Sequence, residues 1–315
     1  MNVYLQTLSD TTQVVLPIFL LLSCGYLLRQ LRIIDASFVD QASRLVFTLA
    51  LPILIFISIS RADFLQLFNA KQIIYFCVST LITVALLYAG ARRWIKNPAD
   101  QGVFVQGAFR SNFGVIGLAM VFNMLGEPGM APAALLLAFV IPMFNVLSIM
   151  AISLPLQGGF KPLPLFKSVL TNPLILAVVA ALPFSLFNIP LPGLVKSTGA
   201  YFADLTLPLA LLAIGGALDI KYLRGSSSLA THSTLIKLIA LPLVLTLGAF
   251  TCGFRGDELA IMFILFSSPT ASASFVMAQV MGGNARLAAN IVALTTLGSI
   301  LTMGTGIYLL KIYSI

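Results

Sequence analysis

Charge is what this chain has least of. Asp, Glu, Lys and Arg together make up 9% of its 315 residues, against about 25% in an ordinary globular domain. So few charges cannot cover the surface of a soluble protein of this size. Cysteine is sparse as well. Cys24, Cys77 and Cys252 share no metal-ligand spacing and sit in or beside apolar runs. That excludes a disulfide-stapled scaffold and marks them as small buried hydrophobes. No His-Glu-x-x-His and no phosphate-loop glycine–lysine pattern occurs. No gap between apolar runs exceeds about fifteen residues, which leaves no room for a soluble nucleotide domain. Ser267, Ser268 and Ser272 have no neighbouring His or Asp with which to build a hydrolytic triad. An ATP-driven pump and a membrane-embedded enzyme are therefore disfavoured, and no cofactor or metal is called for.

What the chain has instead is apolar length. Hydrophobic residues make up 59% of it, which excludes intrinsic disorder. At about 20 residues per bilayer crossing, ten apolar runs can be read, near 11–28, 39–60, 71–90, 102–122, 131–154, 168–186, 199–218, 229–250, 257–280 and 287–310. The expectation is an all-α polytopic membrane protein with ten transmembrane helices. Net charge is +8, but the basic residues lie in short gaps and form no basic face, so nucleic acid is not a partner. They orient the chain instead. With the N-terminus outside, ten fall in inner gaps: Arg29, Arg32, Arg92, Arg93, Lys96, Lys161, Lys167, Lys221, Arg224 and Arg286. Five fall in outer gaps or at the C-terminus: Arg61, Lys71, Lys196, Arg255 and Lys311. Both termini are expected outside.

The runs contain a repeat. Leu49-Ala50-Leu51-Pro52-Ile53-Leu54 in the second run returns as Leu205-Thr206-Leu207-Pro208-Leu209-Ala210 in the seventh, about half a chain later. About 60 residues beyond each Leu-Pro pair comes a polar, small-residue interruption. In the fourth run it is Arg110-Ser111-Asn112-Phe113-Gly114-Val115-Ile116-Gly117. In the ninth it is Ser267-Ser268-Pro269-Thr270-Ala271-Ser272-Ala273-Ser274. An odd number of spans per half makes the halves, 1–155 and 156–315, enter the membrane from opposite sides, the inverted repeat of many secondary transporters. Gly114 and Gly117 loosen the fourth span, and Pro269 removes an amide from the ninth. A break at mid-membrane survives only where protein or water pairs the freed backbone groups. Half-helix N-termini would then point N–H groups inward, which suits an anion. Asn112, Ser268, Thr270, Ser272 and Ser274 would hydrogen-bond a polar solute or fill the gaps in the backbone ladder. The alternative is a kink packed by small residues.

These motifs resemble the auxin efflux carrier family in its bacterial branch. The likeness rests on Phe109 through Gly117 as the fourth-span signature and on Leu51-Pro52-Ile53-Leu54-Ile55-Phe56 as the second-span motif. It rests also on Ile214-Gly215-Gly216-Ala217-Leu218 as the seventh-span ending and Pro269-Thr270-Ala271 as the ninth-span crossover. It covers essentially the whole chain. It implies a scaffold domain, about 11–60 and 168–218, with Pro52, Pro208, Gly215 and Gly216 as hinge or scaffold positions and a homodimer contact. It implies a transport domain, about 71–154 and 229–310, whose fourth and ninth spans break and cross, with Asn112 at the first crossover, Pro269 at the second and substrate beside them. Bacterial members are linked to malate and malonate, plant members to the auxin carboxylate. The implied function is secondary-active, elevator-type carriage of a small organic anion across the bacterial cytoplasmic (inner) membrane. The fourth span lacks a proline that many relatives carry, and Gly114 is the residue expected to supply the break instead.

Arg110 is the most informative charge. Its planar fork suits a substrate carboxylate; the other reading is a snorkelling or ion-paired structural arginine. Asp204 is a candidate for proton or sodium coupling, or else a rim charge. Lys237 and Arg44 are expected to snorkel, His232 to lie at the surface, and Asp219 to act as a cap or local ion pair. A cation–proton or sodium-coupled transporter of the same ten-helix plan would want carboxylates at mid-membrane, and neither interruption contains one. A channel fits the paired repeat less well.

Overall fold

Helix ends are set by a few polar residues punctuating an apolar chain. Asp35, Asn69, Asn97, Asn172, Ser227 and Asn284 each accept a hydrogen bond from a backbone N–H of the turn that follows, satisfying a donor that the first turn would leave unpaired. Pro98 and Pro173 follow two of these caps, where proline's missing N–H and fixed φ suit a helix start.

In a computed structural model the described residues are 2–61, 68–156, 171–218 and 227–313. Among them every regular element is helical: α1 Asn2–Gln30, α2 Ala36–Leu45, α3 Leu51–Ser60, α4 Ala70–Trp94, α5 Pro98–Phe109, α6 Leu118–Ser153, α7 Pro173–Leu186, α8 Gly193–Ala217, α9 Ser228–Leu235, α10 Leu241–Thr251, α11 Gly256–Ser267, α12 Ala273–Val280 and α13 Ala285–Ile312. Seven helical stretches are long and apolar enough to cross a membrane. One of them, Phe113–Ser153, has 41 residues, which at 1.5 Å each is about 60 Å, twice a hydrocarbon core. Its backbone leaves helical geometry at Gly126, with φ 67° and ψ −160°, between the runs read as fourth and fifth. Lys161, Lys167, Asp219, Lys221, Arg224 and the first residues of the 168–186 run lie outside the described residues.

Proline shapes two of the long stretches. A π turn, Val46–Ala50, precedes Pro52, and another, Ile236–Ala240, precedes Pro242. Leu51 N–H donates to Val46 O and Leu241 N–H to Ile236 O, so the extra residue absorbs the ladder bond that proline cannot make. Pro208 sits instead inside the uninterrupted α8. Pro52 and Pro242 thus share a local geometry that Pro208 does not.

The helices pack in two groups that also touch each other, α1 against α13 and α6, and α3 against α6. In one, α8 lies against α1, α2 and α3, and α3 against α7. In the other, α4, α5, α6 and α9 to α13 pack together. Polar bonds stitch the second group: Tyr75 Oη donates to Leu245 O (2.6 Å), Asn69 Nδ2 to Glu258 Oε1 (2.6 Å) and Asn284 Nδ2 to Asp100 Oδ1 (2.7 Å). In the first group α1 and α8 touch through glycine. A β-carbon on Gly25 would strike the Leu212 carbonyl, and one on Gly215 would strike that of Leu22. Many large apolar side chains face outward, among them Leu20, Leu86, Trp94 and Leu301. Cys24 and Cys252 are exposed too, contrary to the buried reading, because in a chain with an apolar exterior hydrophobicity no longer implies burial in protein. Gly215→Val should force α1 and α8 apart and lower stability, by about 1–3 kcal/mol as for other overpacked contacts. Thermal unfolding in detergent measures it.

Candidate functional site

The two interruptions meet. α5 stops at Phe109, and Arg110 turns extended (φ −73°, ψ 111°). α11 stops at Ser267, and Ser268 turns extended (φ −57°, ψ 139°). The freed stretches pair with each other as one antiparallel bridge between Ser111 and Thr270. Asn112 N–H donates to Pro269 O at 2.7 Å, and Ala271 N–H to Arg110 O at 3.3 Å. The orphaned carbonyls at each half-helix end are satisfied from outside that half. Ser111 Oγ donates to Leu265 O (2.7 Å), and Thr270 Oγ1 donates to Gly107 O (2.7 Å). Thr270 N–H donates to Thr295 Oγ1 on α13 at 3.1 Å. Lys237 Nζ, only 1% exposed, donates to Phe266 O at 2.9 Å.

Several sequence expectations change here. Lys237 does not snorkel: the C-terminal end of α11, the negative end of its dipole, holds the ammonium inside. Gly114 does not make the first break, which lies at 110–112; Gly114 sits in the following π turn with room for a β-carbon. A β-carbon on Gly117 would meet the Phe113 ring and Ser268 Oγ, so Gly117 serves close packing. Ser268 and Thr270 are buried with their hydroxyls bonded to backbone, Ser268 to Ile264 O of its own half-helix and Thr270 across the crossing to Gly107 O. His232 is exposed and bonded within its own first turn, as expected of a surface histidine.

Arg110 is 9% exposed. Its Nη1 donates to Ser148 Oγ (2.9 Å) and approaches Met277 Sδ (3.1 Å), while Nη2 donates to Asn145 Oδ1 (2.9 Å). These partners are neutral. Ser267 and Ser274 are buried with hydroxyls that have no partner among the described residues, and the uncommitted side chains that reach the surface of the crossing are Asn112, half-buried, and Ser272, which is exposed.

Two cavities lie along the same helices, and the second reaches the crossing through Ser272. One, of about 560 Å³, is lined by Ser58, Arg61, Asn123, Glu127, Asp204 and Pro208 among others. The second, of about 720 Å³, is lined by Arg29, Arg32, Asp40, Gly216, Phe275 and Ser272 among others. They use opposite ends of the same helices: Ala36–Asp40 against Ser58–Arg61 on α2–α3, and Gly216–Leu218 against Ala200–Pro208 on α8.

A sequence profile of the family described as membrane transport protein matches residues 11–159 and 164–306, through both interruptions. The chain belongs to this family. The membership bears out the resemblance to auxin efflux carriers. Among its relatives, an "Uncharacterized transporter" of Methanothermobacter thermautotrophicus is 26% identical over 271 residues, 85% of this chain and 88% of the relative. The "Putative malonate transporter" of Rhizobium meliloti is 28% identical over 319 residues, 96% and 97%. The transporter YfdV of Escherichia coli (strain K12) is 24% identical over 310 residues, 95% and 97%.

Sequence reasoning missed Thr295 and the role of Lys237 in this transport-family crossing. The signal for Thr295 was present: Asn290, Thr295, Thr296 and Ser299 form a polar, buried stripe on an otherwise apolar span. Lys237→Met leaves Phe266 O without its donor, and Thr270→Val removes the bond to Gly107 O. Each should cost about 1–3 kcal/mol, the range for stranding a buried polar group. Detergent unfolding midpoints below the parent's are expected for both.

Proposed function

We propose that the chain is a secondary-active carrier that moves a small organic anion, a mono- or dicarboxylate of the malonate or malate kind, by alternating access. The observation that carries the reading is the pair of mutually bonded helix breaks, which one cavity reaches at Ser272 while a second cavity opens at the opposite ends of α2–α3 and α8. Family membership and the printed name of the Rhizobium meliloti relative agree with it.

In this reading the chain has ten spans in two inverted halves. The fourth is α5 with the helix up to Leu125, the fifth is the rest of α6, the sixth is the short α7, and the ninth is α11 with α12. The two packing groups support a scaffold of α1–α3, α7 and α8, which pairs two copies, and a transport domain of the remaining helices. The charge bias favours a cytoplasmic membrane with both termini outside. Substrate binds at Asn112 and Ser272, where the half-helix starts at Phe113 and Ala273 favour a negative group. Arg110, held by neutral partners, adds attraction through its field without contact. The transport domain then slides against the scaffold and exposes the anion to the other cavity. Membrane potential alone can drive an anion outward, whereas uptake requires proton or sodium coupling or exchange. Asp204, open to the Arg61–Glu127 cavity, is the candidate coupling group.

In proteoliposomes, labelled malonate or malate should show saturable flux. Asn112→Ala should fold normally and weaken anion binding about tenfold, the value of one good hydrogen bond to a charged group. No saturable flux of any organic anion would overturn the carrier reading, and unchanged binding by Asn112→Ala would reduce the crossing to a structural kink.

A further inference from the structure

In sequence, Arg29 and Arg32 register only as charges that orient the chain. In space they do something more specific. α1 ends in a Schellman motif: Ile33 N–H donates to Leu28 O (3.0 Å) and Arg32 N–H to Arg29 O (3.2 Å). The left-handed residue of that motif, with φ 59°, is Arg32. A residue with a β-carbon is strained there, and glycine or asparagine ordinarily occupies the position. The rest of the molecule follows that habit. Asn188 ends α7 with φ 51°, Gly253 ends α10 with φ 89° and Gly282 ends α12 with φ 81°. Among the described residues, Arg32 alone breaks it.

The strain coincides with a site. Arg29 and Arg32 both line the cavity of about 720 Å³ that reaches Ser272 at the crossing. Asp40 is the one carboxylate with them on its lining, and neither guanidinium makes an ion pair with a described residue. The cavity at the other end is opposite in sign: Arg61 is joined there by Glu127 and Asp204. The formal charge on the linings is thus net positive at one mouth and net negative at the other.

We propose that the Arg29–Arg32 cavity is the loading vestibule for the anion, and that the two guanidiniums collect small dicarboxylates in preference to monocarboxylates. This rests on the carrier reading above and adds its selectivity. A guanidinium fork matches a carboxylate in plane and spacing, and two forks three residues apart suit two carboxylates. A cavity lined by one sign of charge raises the local concentration of the opposite ion. The asymmetry sets the apparent affinity at each mouth, while the electrochemical gradient still sets the direction of net flux. A strained arginine where glycine would be relaxed is then a position kept for its side chain.

The test exploits that strain, because Arg32→Gly relieves the backbone while deleting the charge. Reconstituted Arg32→Gly should unfold in detergent at or above the parent's temperature, yet show a malonate KM raised about three- to tenfold, with a smaller effect on a monocarboxylate. Arg32→Lys should stay near the parent, and Arg29→Gln should resemble Arg32→Gly. Added salt should shrink these differences by screening. Parental malonate kinetics in folded Arg32→Gly and Arg29→Gln would overturn the vestibule while leaving the carrier intact. Absence of saturable flux of any organic anion in the parent would overturn both.

Discussion

A helix that breaks inside hydrocarbon must find a partner for every backbone group it frees, because no water is there to help. This chain breaks two helices at one place and lets each repair the other. Asn112 N–H and Pro269 O pair directly, Ser111 reaches the end of α11 and Thr270 reaches the end of α5. Lys237 and Thr295 bring α9–α10 and α13 into the same arrangement. The consequence is mechanical. Five helical segments are bonded through the crossing, and the motion proposed above falls between this group and the α1–α3, α7, α8 group. The same accounting separates structure from function among the polar residues. Ser111, Ser268 and Thr270 have their hydroxyls committed to backbone carbonyls, and Asn112 and Ser272 remain available to a solute.

The second feature of the site is positive charge without a carboxylate. Arg110 and Lys237 are buried against neutral acceptors. A buried ion pair would cancel its own field, whereas a cation held by hydroxyl, amide and carbonyl oxygens keeps it. Burial of an unpaired cation in a membrane protein is costly and points to use. Here the field lies beside a crossing whose half-helix starts favour the same sign of guest. The cationic Arg29–Arg32 cavity extends that preference to one surface of the protein.

Much of this was visible in the chain because hydrocarbon imposes simple rules on sequence. Ten apolar runs stand out by length, and the polar stretches around Asn112 and Pro269 stand out by contrast. What stayed hidden depends on partners distant in sequence. Nothing near Lys237 announces that its ammonium meets Phe266 O, 29 residues away. The break at Arg110–Asn112, ahead of Gly114, follows from pairing with Pro269 and Ala271 rather than from a local breaker. Arg32 looked like any other gap arginine because a left-handed φ leaves no mark on the sequence when glycine is not used. Local geometry at proline was hidden for the converse reason: the same two letters sit after a π turn at Pro52 and inside a regular helix at Pro208.

Alternating exposure of the crossing is the central claim, and Ser272 reports on it most directly. With Cys24, Cys77 and Cys252 replaced, a single cysteine at Ser272→Cys can be challenged with a membrane-impermeant thiol reagent applied to either face of sealed, oriented vesicles. The account predicts reaction from both faces, with malonate slowing the reaction from each. Reaction from one face only, at a rate that malonate does not change, would contradict it.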